Sequence, residues 1–358
     1  MSGDVERYSK EDYLASRRRK MIAFIVSTAL CITFAVLSMA INQYGLSLGE
    51  IFGIIKDHVH GNINTDDYRE YIEDLIVFES YIPRAIACIT AGAILGAGGA
   101  VMQSVIKNPL ADSYTMGLSA GALLGVSCFV ILGIGVVSGN FGLMANAFLF
   151  SLIPCGVVIV FSVFRNTTSN MIVFVGIAIS FLFSAITTFI NYTAAPEQLE
   201  EVYKWSIGSL GRLDPDCILF LIPSTIIMIV SLLFLADKID ITAAGDKYSK
   251  TLGVDAPRIR IVAILIVSLF TSITVCFVGT IGFIGLVIPN IVRIYAGSNS
   301  KTLIPISSIA GATLLLAADC VARMLIPGGF PVGFVTSLVG GPMMLFILMR
   351  RKNNAWGN

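Results

Sequence analysis

Three ionisable side chains lie in or beside long apolar runs, where a charge is costly and most often serves a function. Asp319 and Arg323 are four residues apart, so they can pair on one face of a helix. Asp112 lies just beyond the end of another apolar run. A buried carboxylate can carry the coupling ion of a secondary transporter. Because Asp319 already has a partner, the sequence favours an energy source outside this chain.

Metal, nucleotide and catalytic chemistry have little support. His58 and His60 are the two histidines of the chain, and they lie in an acidic segment where we expect both to be solvated. Lys250 lacks a Walker A context, because Ser249 and Ala244 stand where glycines are needed. The seven cysteines include no Cys-x-x-Cys pair. We therefore expect no catalytic residues, no bound metal and no cofactor in this chain, and no enzymatic activity.

The composition places the chain in the membrane. Apolar residues make up 56% of the 358 residues, charged residues only 13%, and the mean hydropathy is +0.84. A soluble domain carries about 25% charged residues. The formal net charge of +1 argues against a basic surface for nucleic acid. The sequence predicts a polytopic membrane protein in contact with lipid.

The apolar runs predict an all-α bundle of about ten transmembrane helices. A spanning helix needs about 20 mostly apolar residues, and barrel strands would alternate instead of running continuously apolar. Pro289 interrupts the shortest run, which predicts a half-helix or a re-entrant segment. The runs cover residues 21–42, 85–106, 118–137, 143–164, 171–193, 217–236, 261–278, 281–296, 302–326 and 333–349.

The distribution of basic residues predicts the orientation. With ten spans and the N-terminus inside, most of the 24 Lys and Arg residues fall on the cytoplasmic side, as the positive-inside rule requires. We expect residues 1–20 to be a cytoplasmic leader followed by an uncleaved anchor. Residues 21–350 form the transmembrane domain, residues 351–358 a cytoplasmic tail, and both termini are cytoplasmic.

Small and acidic residues mark packing and solvent-facing segments. The outer segments 43–82 and 194–216 are rich in Asp and Glu, which predicts soluble loops. Small residues recur at every fourth position, which predicts close helix packing. These small residues are Gly92, Gly96 and Ala100, followed by Gly117, Gly121 and Gly125.

The most informative polar segment covers residues 237–258, between two spans on the predicted cytoplasmic side. It is compatible with helix but broken by Gly245 and Gly253. A pair of short helices at the membrane surface, presented to a soluble partner, would suit this pattern better than a simple connection. Asp246 would lie at the start of the second helix, where an acidic residue is favourable.

Nine short motifs follow one another along the chain, from about Tyr81 to Arg351. The motifs are Pro83-Arg84 with Gly92-Ala93, Gly98-Gly99-Ala100-Val101-Met102-Gln103, Asn108-Pro109-Leu110-Ala111-Asp112, Gly117-Leu118-Ser119-Ala120-Gly121-Ala122, Trp205-Ser206-Ile207-Gly208-Ser209-Leu210, Leu252-Gly253-Val254, Gly282-Phe283-Ile284-Gly285-Leu286-Val287-Ile288-Pro289-Asn290-Ile291-Val292-Arg293, Ala318-Asp319-Cys320-Val321-Ala322-Arg323 and Pro331-Val332-Gly333 with Gly341-Pro342. In this order they resemble the FecCD family of ABC-importer permeases, which carry iron–siderophore complexes, haem or cobalamin.

The resemblance implies a type II ABC importer permease in the inner, or cytoplasmic, membrane. Its implied partners are a second permease subunit in a homodimer or a close heterodimer, two cytoplasmic ATPase subunits that hold ATP and Mg²⁺, and an extracytoplasmic substrate-binding protein. The implied substrate is a metal chelate, foremost an iron(III)–siderophore, with cobalamin or haem as alternatives. An ion-coupled secondary transporter is the alternative from another class.

The resemblance also implies three sets of site residues. Coupling to the ATPase falls to residues of the 237–258 segment: Gly245, Asp246, Leu252 and Gly253. The cytoplasmic gate and pathway match Asn108, Pro109, Leu110, Thr168 and Ser169. Docking of the binding protein, through glutamates on its two lobes, matches Arg84 and Arg323.

Two positions depart from the family pattern. Tyr81 stands where the family often has an arginine, and Asn290 stands where it usually has a histidine. These departures leave the docking of the binding protein and the identity of the substrate open.

Overall fold

The computed structural model contains helices and no strands over the residues it describes, which are 10–42, 44–62, 67–165, 169–211, 213–325 and 330–350. Its α-helices in chain order are α1 (Lys10–Ala40), α2 (Leu48–His60), α3 (Tyr68–Ile76), α4 (Ile82–Ile106), α5 (Leu118–Val130), α6 (Asn140–Arg165), α7 (Ser169–Tyr192), α8 (Pro196–Ser206), α9 (Ile218–Ala244), α10 (Asp246–Thr251), α11 (Ala256–Val278), α12 (Ile284–Ala296), α13 (Ser300–Leu325) and α14 (Val332–Arg350).

The predicted ten-helix membrane bundle is confirmed. Within the described residues, seven helical stretches are long and apolar enough to cross a bilayer. Three shorter apolar helices, Leu118–Val130, Ile284–Ala296 and Val332–Ile347, match the remaining predicted runs. The leader is not separate from the first span, because α1 already begins at Lys10 and continues through the basic cluster.

Helix α4 is the centre of the bundle, and nearly all of its side chains are buried. It packs against α13, α9, α11 and α12. A Cβ atom added to Gly92 or Gly96 would lie 2.5 or 2.2 Å from a carbonyl oxygen of α13, and one added to Gly99 would lie 2.0 Å from the Gly285 carbonyl oxygen. These distances leave no space for a side chain, so the predicted packing role of the small-residue stripe is confirmed.

The second stripe has the same role between α5 and α6. A Cβ atom on Gly121 or Gly125 would approach the carbonyl oxygen of Phe150 or Asn146 to 2.4 Å. Helix α5 is shorter than the predicted run 118–137, since it ends at Val130. Glycines in the following residues interrupt a stretch whose apolar character alone predicted a longer helix.

The short run 281–296 is a 13-residue helix, α12. At 1.5 Å per residue it rises about 20 Å, less than the 30 Å of a bilayer core. The chain before it is not helical, and Phe283 has a left-handed backbone with φ of 69°. This agrees with the predicted half-helix.

The acidic segment 43–82, predicted to be a soluble loop, is largely helical. Ser47 caps α2 in a reciprocal capping box with Glu50, and α3 continues through one π-helical turn into α4. The ring of His58 stacks on Phe78 at 3.6 Å, and its Nδ1 lies 2.7 Å from an oxygen of Asp74. The Ser-x-x-Glu capping signal accounts for the start of α2, which the acidic composition alone does not predict.

The segment 237–258 also differs from the prediction of two separate short helices. Its first part is the end of α9, which continues to Ala244, and only α10 is short. The bundle thus has two ends, the Asp246 end and the Asp319 end. The Asp246 end holds the last turns of α4 and α9, and the Asp319 end holds the first turns of α4.

Candidate functional site

The turn between α9 and α10 is built around a glycine. Gly245 has φ of 129° and ψ of 148°, a conformation that residues with a side chain rarely adopt. The buried hydroxyl of Ser249 donates to the carbonyl oxygens of Ile241 and Gly245 at 2.9 and 2.8 Å. The serine therefore ties α10 back onto α9 and fixes the angle of the turn.

Asp246, the first residue of α10, is held by two cations from other helices. Its carboxylate lies 2.9 Å from Nη2 of Arg260 and 3.3 Å from Nζ of Lys107. Partial burial raises the pKa of Asp246, but the charges of Arg260 and Lys107 outweigh that effect and hold the pKa below its usual value. The predicted coupling residue is therefore ionised and anchored to the bundle.

Arg260 is the residue that sequence reasoning missed at this site. It is 1% exposed, and its Nε donates to the carbonyl oxygen of Val105 at 3.0 Å. One guanidinium thus joins α11, the last turn of α4 and the start of α10. An arginine directly before the apolar run 261–278 was the available signal, but its partners lie on other elements.

The outer surface of the turn combines charge with exposed apolar groups. The side chain of Asp246 is 50% exposed, and Tyr248 and Leu252 are 54% and 52% exposed. Gly253 ends the turn with φ of 72°. The four predicted coupling residues, Gly245, Asp246, Leu252 and Gly253, thus lie on one short element that projects from the Asp246 end.

The predicted gate begins at Asn108, directly after Lys107, the lysine that contacts Asp246. Lys107 has φ of 56°, and Oδ1 of Asn108 accepts the N–H of Leu110 at 2.9 Å, which closes a tight turn. The Pro109 carbonyl oxygen accepts Nδ2 of Asn290 at 3.1 Å. Leu110 is 44% exposed. The gate segment is therefore held on one side by α12 and is open on the other.

The other part of the predicted gate is only partly described. Thr168 lies outside the described residues. Ser169 is the first residue of α7, whose packing partners include the turn Tyr114–Met116. A Cβ atom on Gly176 would lie 2.6 Å from the Thr115 carbonyl oxygen, so α7 touches the chain that follows the gate. The gate role of all five residues stays a prediction.

Asp112 closes the gate segment and is buried. Its Oδ1 accepts the N–H of Thr115 at 2.9 Å, and its own N–H donates to Oγ1 of Thr115 at 3.1 Å. Burial raises the pKa of Asp112 to about 6, although these hydrogen bonds oppose the rise. The carboxyl therefore shapes a turn within segment 107–117, between two spans.

Polar side chains of α12 bind α4 in the same region. Arg293 donates to Oε1 of Gln103 at 2.9 Å, to the Ala100 carbonyl oxygen at 3.1 Å and to Oγ of Ser104 at 2.8 Å. Asn290, a departure from the family pattern, is 2% exposed. Since Asn290 also reaches Pro109, α12 connects the interior of α4 to the gate segment.

At the opposite end, Asp319 is fully buried between two arginines. Nη2 of Arg84 lies 2.8 Å from one carboxylate oxygen, and Nη2 of Arg323 lies 2.9 Å from the other. Arg323 also donates to the carbonyl oxygen of Ile41 at 2.9 Å and to Oγ of Ser38 at 2.6 Å. The predicted Asp319–Arg323 pair is confirmed, whereas Arg84 was a partner that the sequence spacing could not reveal.

The side chains of both arginines are mostly buried, with 13% of Arg84 and 8% of Arg323 exposed. Their charges are directed inward at Asp319. Their predicted contact with a binding protein stays a prediction, and only a small part of each side chain is exposed to make it.

Comparisons with known proteins agree with this architecture. The model of a family described as the FecCD transport family matches residues 30–350. A protein of Methanocaldococcus jannaschii described as an ABC transporter permease is 34% identical over 354 residues, 95% of this chain and 97% of the relative. An iron chelatin transport permease of Helicobacter pylori is 31% identical over 90% of this chain and 96% of its own length.

A hemin transport permease of Yersinia pestis is 31% identical over 77% of this chain and 84% of its own length. A solved structure described as an inward-facing conformation of a metal-chelate type ABC transporter superposes with a TM-score of 0.79. The two chains are 26% identical, and the superposition covers 92% of this chain and 99% of the other.

Proposed function

The chain belongs to the FecCD transport family, and on that premise we propose that it imports an iron(III)–siderophore across the cytoplasmic membrane. It is a multi-pass membrane permease of an ABC importer for metal chelates, and a transport subunit rather than an enzyme. The alternative of an ion-coupled secondary transporter does not fit this family. Cobalamin and haem remain the alternative ligands of the same machinery.

One observation carries the proposed mechanism: the α9–α10 turn is half-exposed at its tip and fixed at its base. Asp246 is bound by Arg260 and Lys107, while Tyr248 and Leu252 point outward. A soluble ATPase that binds this tip would act on an element that is already joined to α4. The ATP and Mg²⁺ belong to two such ATPase subunits, and this chain supplies no cofactor.

The proposed path lies between two copies of the permease, and its inner gate is the Asn108–Leu110 turn with Ser169 and Thr168. Asn108, Pro109 and Leu110 carry no charge. Such a lining lets a large polar chelate pass without holding it tightly. The Asp246 end would then face the cytoplasm together with both termini, and an extracytoplasmic binding protein would deliver the chelate at the Asp319 end.

The test is ATP-dependent uptake into proteoliposomes that contain the complex with its ATPase and binding protein. Ferric siderophore, haem and cobalamin are offered separately, and a complex with an inactive ATPase is the control. We expect uptake of ferric siderophore that requires active ATPase. Uptake of haem or cobalamin but not of ferric siderophore would identify that compound as the ligand instead. Uptake without ATP would overturn the proposed function.

A further inference from the structure

A groove of about 590 Å³ opens on the outside of the bundle between α1, α12 and α13. Helix α1 is otherwise little covered, since only 6% of its most apolar stretch is buried. The groove walls are mainly aliphatic side chains, including Ile22 and Val26 of α1 and Ile291 of α12. Because this surface lies in the membrane-spanning part of a permease, its surroundings are lipid.

The α1 wall is a single helix face with a cation at one end. Arg19, Ile22, Ala23 and Val26 line the groove and follow the i, i+3, i+4, i+7 spacing. Arg19 lies two residues before the apolar run that begins at Met21, and it is exposed. No carboxylate in the described part of the chain pairs with it. The face therefore offers an apolar track that ends in a positive charge.

The cation and a tyrosine lie at the same end of the groove. Helices α1 and α13 run parallel, since the hydroxyl of Thr313 contacts the Ser27 carbonyl oxygen at 3.4 Å and Arg323 contacts Ser38 at 2.6 Å. This register places Arg19 beside the first turns of α13. Helix α12 ends at the same end of the groove, and three residues separate it from α13. Tyr295 lies in the last turn of α12.

We propose that this groove is a binding site for one anionic phospholipid. An acyl chain lies along the aliphatic walls, and the headgroup phosphate binds Arg19 with Tyr295 beside it. Basic side chains next to a membrane span attract anionic lipid by about 1 kcal/mol each, and tyrosine favours the headgroup level. Neighbouring Arg17, Arg18 and Lys20 raise the local concentration of such lipids without lining the groove.

A helix from a second copy of the chain is the other possible occupant, and the charge argues against it. Such a helix would bring its own apolar side chains to the walls but would leave Arg19 facing the headgroups without a carboxylate. A phosphate satisfies the guanidinium at the depth where it lies. The inference holds for any chelate that the permease carries.

The test is native mass spectrometry of the full-length chain in neutral detergent, titrated with phosphatidylglycerol or with phosphatidylcholine of the same acyl chains. We expect one phosphatidylglycerol to bind several-fold more tightly than phosphatidylcholine. R19A should weaken that first binding by about fivefold, the ratio that corresponds to about 1 kcal/mol. R19K should retain most of it, and Ala23→Trp, which fills the groove, should reduce the binding of both lipids.

R18A is the matched control, since it removes the same charge one residue away, on a side of α1 that does not line the groove. We expect it to weaken binding less than twofold. Equal losses of phosphatidylglycerol affinity in R18A and R19A would show non-specific attraction of the lipid to the basic surface and would overturn the proposed site. Equal affinity for the two lipids, or no effect of Ala23→Trp on either, would also overturn the proposal. A loss of self-association in Ala23→Trp would assign the groove to a second copy.

Discussion

Arg260 and Asp246 form an ion pair of 2.9 Å between α11 and the first residue of α10, and the arginine is almost completely buried. The same guanidinium donates to the Val105 carbonyl oxygen in the last turn of α4. A displacement of the α9–α10 turn must therefore move the end of α4 or break this contact. Since the gate segment begins just after α4, the pair joins the proposed coupling surface to the proposed gate.

The first prediction concerns this pair. Arg260→Met fills the same space with an unbranched apolar side chain but removes the cation. Asp246 then has Lys107 as its one remaining cationic partner in the described part of the chain. We expect transport per ATP hydrolysed to fall while the complex still assembles. A double-mutant cycle with Asp246→Asn should give a coupling free energy of about 0.5–3 kcal/mol in unfolding measurements.

Arg258→Met is the control, because Arg258 lies on the same helix with a side chain that is 84% exposed. It should leave the ratio of transport to hydrolysis unchanged. Unaltered coupling in Arg260→Met, together with additive free energies in the cycle, would show that the pair serves neither coupling nor stability.

The second prediction concerns the backbone of Gly245. Gly245→Ala places a side chain at φ of 129°, a strained conformation that costs about 1–3 kcal/mol. We expect the turn to shift and hydrolysis to uncouple from transport, with a larger effect for Gly245→Trp. Gly139→Ala is the control, because it places a side chain at another positive φ, 79°, in a different turn. The Gly139→Ala variant should be less stable, but its transport per ATP hydrolysed should stay normal. Normal transport by Gly245→Trp would contradict the assignment of Gly245 to coupling.

The sequence predicted those features that depend on local pattern. The apolar run 171–193 corresponds to α7, and the four-residue spacing of Asp319 and Arg323 correctly predicted their pair. What it could not predict are the partners brought together by tertiary packing. Arg84 meets Asp319 across 235 residues of chain, and Arg260 meets the end of α4 across 155. Periodicity contains no information about such contacts.

The third prediction concerns the gate. The Asn290 amide holds the Pro109 carbonyl oxygen, so Asn290→Leu should free the gate segment. With the native cysteines replaced, Cys introduced at Leu110 should be labelled by a small thiol reagent in some nucleotide states only. In the Asn290→Leu background we expect labelling in all states. State-independent labelling without that change would argue against a gate at this position.

The fourth prediction separates two roles of Arg84. Because Asp319 is fully buried, Arg84→Gln leaves its charge with Arg323 alone and should lower the free energy of unfolding by about 3 kcal/mol. Arg84→Gln combined with Asp319→Asn should restore part of this loss.

If Arg84 also contacts the binding protein, the double variant of Arg84→Gln with Asp319→Asn, which removes the buried carboxylate as well, weakens docking relative to Asp319→Asn alone, and more at low salt than at high salt. We expect this effect on docking affinity, with the ATPase activity measured without binding protein unchanged. Equal affinities and equal salt slopes in the double variant and in Asp319→Asn alone would leave Arg84 with the structural role only.

The last prediction concerns Asp112, whose pKa burial raises to about 6. Between pH 4 and 6 the folded chain then holds a proton that the unfolded chain has lost, so stability falls as pH rises through this range and stays lower above it.

Asp112→Asn keeps an oxygen that can accept the N–H of Thr115 but cannot ionise. Its melting temperature should therefore exceed that of the wild type at pH 7.5 and match it at pH 4.5, while Asp57→Asn, on the exposed surface of α2, changes neither value.

The Asp112→Asn variant also tests the energy source. A permease driven by ATP should retain transport in Asp112→Asn, whereas transport coupled to an ion on this carboxylate would be lost. Wild-type uptake that follows an ion gradient without ATP, and that Asp112→Asn abolishes, would contradict the ATP-driven assignment.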